Sequence, residues 1–186
     1  MLTIGITGTL GAGKGTVVEY LVSQKGFKHF SVSDYLTQEL LKLGKPVNRD
    51  SMRELANGIR TKNGPDYITK ILFAQAKTLG SNAIIESIRN PKEAEFIKEN
   101  GGYLFAVDAD QKIRYERAVL RASQKDSVTF EEFKLQEKKE SQNTDPNSQN
   151  LPKCILLSDY KFANNGTVAD LYKSVSDVIQ KISKQN

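Results

Sequence analysis

The residues from 8 to 16, Gly8-Thr9-Leu10-Gly11-Ala12-Gly13-Lys14-Gly15-Thr16, carry the plainest chemistry in the chain. Gly8, Gly11, Gly13 and Gly15 let the backbone curl so that successive N–H groups of residues such as Ala12 point inward at an anion. An apolar, β-branched run over 2–7 precedes the loop and a helical pattern over 15–24 follows it. The helix N-terminus therefore adds partial positive charge, and Lys14 adds a full charge able to reach the β- and γ-phosphates of a nucleoside triphosphate such as ATP. Residue 15 is glycine, so the position directly after the lysine has no hydroxyl for Mg2+, and Thr16 supplies it one place later.

Phosphoryl transfer needs little covalent help but much charge stabilisation around the moving group. Arg114, Arg117 and Arg121 fall on one helix face at the edge of a polar stretch. Arg117 and Arg121 are expected to form a clamp that closes on the triphosphate, while Arg114 reads more simply as part of a solvated face. Arg89 follows a strand end and precedes a capped helix, a place from which a guanidinium can grip an acceptor phosphate in bidentate fashion. Arg53 and Arg60, seven apart, are expected on a face opposite Met52, Leu55 and Ile59. Glu86 ends a short apolar strand and is the expected acid for Mg2+, through water. Asp34 could cap a helix, orient the acceptor or act as a base, and a base is required only if the acceptor is a hydroxyl.

Alternating strands and helices must position these residues. Strands are expected over 2–7, 27–32, 82–86, 103–107 and 160–163. Helices are expected over 15–24, after a cap at Ser33, over 48–61, from Pro65, from the Asn90-Pro91 start, over 110–122, and along the closing stripe of Val168, Leu171, Val175, Val178, Ile179 and Ile182. The stretch 123–150 is strongly polar, with a capping box at Thr129-x-x-Glu132 that predicts one short helix inside it. Such alternation implies a single α/β domain over 1–186, a parallel sheet with helices on both faces, and a site beyond the carboxyl ends of the strands.

Composition narrows the function classes. With 38% apolar and 26% charged residues the 186-residue chain reads as one globular domain, and no stretch approaches the roughly 20 apolar residues of a membrane span. The N-terminus runs straight into the first strand with no leader pattern, and the lone Cys154 lies in an apolar run, as in a reduced cytoplasmic protein. The net charge of +5 is dispersed without blocks or interleaved aromatics, which argues against a nucleic-acid partner. One histidine and one cysteine exclude a His-rich or Cys-x-x-Cys metal site.

The loop has the form Gly-x-x-Gly-x-Gly-Lys-Gly-Thr found in adenylate kinase and its relatives, the P-loop nucleoside monophosphate kinase superfamily. The likeness runs in order along nearly the whole chain. The segment from His29 to Leu36 resembles the start of the acceptor-site helix, and Arg117-x-x-x-Arg121 the lid-entrance arginine pair. Glu86-Ser87-Ile88-Arg89 is similar to the Asp-Gly-Ile-Arg of an archaeal adenylate-kinase-like family. Ser158-Asp159-Tyr160 and Asn164-Asn165-Gly166-Thr167 resemble the closing strand and turn of that family and of dephospho-coenzyme-A kinases. The resemblance implies a three-layer P-loop fold with strand order 2-3-1-4-5, an acceptor-binding helical segment over 34–80 and a lid over 123–150. It also implies a donor base lying by Asn164 to Thr167, Asn165 among them, and contacted mainly through backbone. Thr37 departs from it, standing where adenylate kinases place an acceptor arginine. The resulting expectation is ATP- and Mg2+-dependent phosphorylation of a nucleoside or deoxynucleoside monophosphate by a monomer or homodimer. The alternatives are transfer to a hydroxyl with Asp34 as base, or a nucleotide-sensing or ATP-hydrolysing module.

Overall fold

A computed structural model describes residues 1–121, 129–141 and 145–184. Strands β1 (Thr3–Gly8), β2 (Lys28–Ser31), β3 (Ala83–Glu86), β4 (Tyr103–Asp108) and β5 (Tyr160–Ala163) form one sheet in the order β2-β3-β1-β4-β5. Every neighbouring pair is parallel. A helical crossover must join each such pair, and α1 (Lys14–Lys25), α2 (Val32–Lys42), α3 (Arg49–Asn63), α4 (Tyr67–Leu79), α5 (Pro91–Glu99), α6 (Gln111–Arg121), α7 (Phe130–Ser141), α8 (Leu151–Leu157) and α9 (Val168–Ser183) lie between or after the strands.

Side chains alternate across the sheet and split the core in two. Ile4, Ile6, Ile84, Phe105 and Val107 pack against α1 and α9, where Leu171, Val175, Ile179 and Ile182 form the buried stripe of α9. Each such side chain contributes about 1.5–3 kcal/mol on full burial. Ile85 and Leu104 face the other way, onto Leu36, Ala56, Leu72 and Ile97 of α2 to α5. The result is the three-layer P-loop kinase-like fold. Among the described residues no helix is long and apolar enough to cross a membrane.

Three local expectations change. The cap of α2 is Ser31, whose side chain accepts from the Asp34 N–H at 3.1 Å, so β2 ends earlier and Ser33 lies inside the helix. Pro65 precedes α4, whose N-cap is Asp66. The run from Leu151 to Leu157, to which the sequence pattern assigns no element, is a helix: Asn150 accepts from the Lys153 N–H and Pro152 sits in the first turn. Within the polar stretch, Thr129 and Glu132 form the expected box at the start of α7, which is 12 residues long rather than short.

Candidate active site

The parallel sheet brings the C-terminal ends of β1, β3, β4 and β5 to one edge, and the glycine loop leaves β1 there. Three of its glycines have positive φ: Gly8 (141°), Gly11 (75°) and Gly13 (96°). A Cβ at Gly11 would run into the Arg114 carbonyl oxygen and one at Gly13 into the Asn164 side chain, whereas Gly15 opens onto free space. Lys14 folds back, its Nζ donating to the carbonyls of Gly8 (2.9 Å) and Thr9 (2.8 Å). Ala12 is fully buried, so its contribution to the cradle is backbone alone. Its carbonyl accepts from Asn164 Nδ2 at 2.8 Å.

Asn164, the first residue of the turn expected by the donor base, thus touches the glycine loop through its side chain. Asn165 instead pairs with Asp110 through its side-chain oxygen and nitrogen (2.8 and 3.0 Å), joining the turn after β5 to the start of α6. Arg117 donates to the Asn164 carbonyl at 2.8 Å, so this arginine does reach the loop's rim. Arg121 closes α6, and its side chain lies outside the described residues. Arg114 is no solvated face: it is buried and donates to the Ala109 carbonyl (2.7 Å) and the Leu10 carbonyl (3.4 Å), and it pairs with Glu137 of α7. It clips the glycine loop to the helix of the polar segment. Asp108, at the end of β4, accepts from the Thr9 hydroxyl at 2.5 Å. A strand-end acid was the signal that would have found it.

Strand β3 delivers the second half of the site. By alternation Glu86 lies on the Ile84 face, the face that α1 and therefore Thr16 occupy. His29 meets Glu86 at 3.0 Å. The histidine's pKa is raised, first by this hydrogen bond and then by the charges of Glu86 and Asp34, against the opposing effect of burial. Ser87 follows with a φ of 72°, a left-handed conformation that costs a non-glycine residue roughly 1–2 kcal/mol. Hydrogen bonds from the Thr7 hydroxyl to the Ile88 carbonyl (2.8 Å) and from the Ile88 N–H to the Ile6 carbonyl (3.1 Å) hold this turn. It aims Arg89 away from the sheet.

Arg89 is supported from three sides. Its N–H and that of Asn90 donate to Glu93 Oε2 (2.8 and 3.0 Å). The other oxygen of Glu93 takes the Arg60 guanidinium through Nε and Nη2 (3.1 and 2.9 Å), with Arg60 and Glu93 only 2% and 1% exposed. Arg60 is thus a buried pair partner and not a surface residue. The Arg89 guanidinium donates to Gln149 at 3.3 Å, and Asn90 donates to the carbonyls of Pro146 and Ser148. Residues 145–150 are therefore fastened to the body, while 123–128 and 142–144 of the expected lid lie outside the described residues.

A cavity of about 330 Å³ opens between these parts, lined by Leu10 of the loop, Val32, Ser33 and Leu36 of α2, Arg49, Asp50, Met52, Arg53, Ala56 and Arg60 of α3, and Ser87, Arg89 and Gln149. Its size falls in the range of small-ligand sites. Met52 shares this wall with Arg53 and Arg60, contrary to the opposed faces expected, because Arg49, Met52, Arg53, Ala56 and Arg60 together span little more than a quarter turn of α3. Asp34 is not on the cavity wall; Ser33 is. A second cavity of about 350 Å³ lies on the far side of Thr9, between Arg114, Lys134 and Glu137 on one hand and Leu151, Pro152 and Ile155 on the other. Among the described residues no three His, Cys, Asp or Glu side chains gather to hold a metal.

Residues 4–145 match the family model described as AAA domain. A UPF0200 protein of Sulfurisphaera tokodaii is 28% identical over 182 residues, 96% of each chain. Among solved structures, a shikimate kinase from Acinetobacter baumannii in complex with shikimate superposes with a TM-score of 0.58 at 14% identity, covering 100% of this chain and 95% of that one. TT1252 from Thermus thermophilus gives 0.61 at 19%, covering 97% of both chains. At such identities the likeness is one of fold. That fold is the P-loop kinase-like one.

Proposed function

We propose that this chain, which belongs to the AAA domain family across residues 4–145, transfers the γ-phosphoryl group of ATP to a nucleoside or deoxynucleoside monophosphate. The observation that supports this reading is one continuous cavity lined both by Leu10 of the phosphate loop and by Arg49, Arg53, Arg60 and Arg89. The loop amides at Gly11, Ala12, Gly13, Gly15 and Thr16 hold the donor phosphates, and Lys14 exchanges its two carbonyl partners for phosphate oxygens. Thr16 and, through water, Glu86 would hold Mg2+ with hard oxygen donors, and the bound ion would supply charge neutralisation for the transferring phosphoryl group. An acceptor phosphate oxygen attacks the γ-phosphorus, the bond to the β-bridging oxygen breaks, and ADP leaves.

Arg89 holds the acceptor phosphate, Arg117 sits where a charge on the transferring group is met, and Arg121 completes the clamp as α6 ends. The donor base lies by the turn at Asn165. A phosphate acceptor is already a nucleophilic anion and needs no base. Asp34 standing off the cavity wall supports that choice over a hydroxyl acceptor. Replacing Arg89 by Ala should lower acceptor-dependent turnover by at least 100-fold, the scale of losing a charge-assisted bidentate contact (on the order of 3 kcal/mol), while ATP affinity stays within about twofold. Lys14→Ala should instead lose ATP affinity. Unchanged turnover in Arg89→Ala would remove Arg89 from the site.

A further inference from the structure

The two walls of the acceptor cavity differ in chemistry. Helix α2 gives it Val32, Ser33 and Leu36 and no charge, and Thr37 is turned away, its hydroxyl donating to the Ser33 carbonyl at 2.9 Å. Helix α3 gives it Arg49, Arg53 and Arg60, at i, i+4 and i+11 on one face. Arg60 is committed to Glu93 in the interior. Arg53 lies seven residues back, about 10 Å along the helix, and its guanidinium is held at 2.6 Å by Asp50, whose side chain is 82% exposed.

We propose that Arg53, with Arg49 one turn before it, is the specificity-determining anion ligand of the acceptor site. Asp50 is its resident counter-ion. The inference rests on the reading of this cavity as the acceptor site. The acceptor's phosphate is gripped from two walls, by Arg89 at the sheet edge and by Arg53 from α3, and its uncharged part lies along the apolar wall of Val32 and Leu36. An exposed ion pair is worth little, so a phosphate displaces Asp50 readily. With Arg60 neutralised by Glu93, the wall still sets Arg49, Arg53 and Arg89 against one carboxylate, Asp50, which favours a phosphate dianion over a monoanionic carboxylate acceptor.

The test uses the full chain saturated with a non-hydrolysable ATP analogue, so that the donor loop is filled. Nucleoside and deoxynucleoside monophosphates and inorganic phosphate are titrated calorimetrically into wild type, Arg53→Ala, Arg53→Lys and Asp50→Asn. At least one monophosphate should bind wild type. Arg53→Ala should bind it about tenfold or more weakly, the scale of a lost charge-assisted hydrogen bond. Arg53→Lys should recover part of the loss, Asp50→Asn should bind more tightly, and affinity for the ATP analogue should stay within about twofold throughout. A monophosphate bound equally well by Arg53→Ala overturns the role of Arg53 and leaves the nucleotide reading intact. Arg53-dependent binding of inorganic phosphate but of no nucleotide keeps Arg53 and overturns the nucleotide reading. Absence of any anion binding to wild type overturns both.

Discussion

Ser87 stores strain at the point where the chain turns from the sheet toward Arg89. Its φ of 72° suits glycine, which needs no Cβ clearance, yet the two hydrogen bonds through Ile88 fix the turn regardless. Ser87→Gly should therefore raise the free energy of unfolding by about 0.5–1 kcal/mol, the left-handed penalty less the added entropy of an unfolded glycine. Urea denaturation reads this directly, and a loss of stability would mean that the serine is not strained. His29 makes a pH-dependent statement. Its folded pKa lies above the unfolded 6.5, so the stabilisation from the Glu86 pair is fully present below that value and disappears as pH rises through the folded one. His29→Gln should lower the melting temperature in mildly acidic solution and not in alkaline solution. A deficit that grows with pH would reverse the sign and refute the pairing.

At the scale of elements, the junction of α3, α5 and the stretch 145–150 is the feature on which the acceptor side depends. Glu93 there serves two arginine-bearing segments at once: one oxygen holds Arg60 and the other the backbone of Arg89 and Asn90. Removing its charge leaves a buried guanidinium unmatched, and Glu93→Gln should cost about 3–5 kcal/mol of stability. Where folded enzyme remains, the acceptor KM should rise while the ATP KM does not, which separates displacement of Arg89 from general loosening. Local patterns announced much of this region. The loop glycines, the Asn90-Pro91 start and the Thr129–Glu132 box depend on residues within one or two turns and stand in the structure as in the sequence; the α9 stripe does so from Leu171 to Ile182, while Val168 at its start is exposed. The roles of Arg60 and Arg114 did not, because their partners Glu93 and Glu137 lie 33 and 23 residues away. Spacing along a helix cannot tell a solvated arginine from one buried against a distant carboxylate. Likewise, only the closed fold shows which of the adjacent Asn164 and Asn165 meets the Ala12 carbonyl.

For the molecule as a whole, the sheet order puts the glycine strand β1 centrally between β3 and β4, with Glu86 and Arg89 following one neighbour and Asp108 ending the other. The glycine loop, the strand-end acids Glu86 and Asp108 and the turn to Arg89 thereby meet at a single edge. ATP bound to that edge should stabilise the folded chain by mass action, by about 2.7 kcal/mol at a concentration 100 times Kd, and Lys14→Ala should forfeit most of that gain. The decisive measurement is ADP release from Mg-ATP with each common nucleoside and deoxynucleoside monophosphate and with dephospho-coenzyme A, alongside Lys14→Ala as control. Strong stimulation by a monophosphate, absent in the variant, is the expected result and names the acceptor. Flat rates across the panel with ATP still bound would contradict a monophosphate kinase and leave a nucleotide-binding module without an acceptor, and stimulation by dephospho-coenzyme A alone would move the reaction to a hydroxyl.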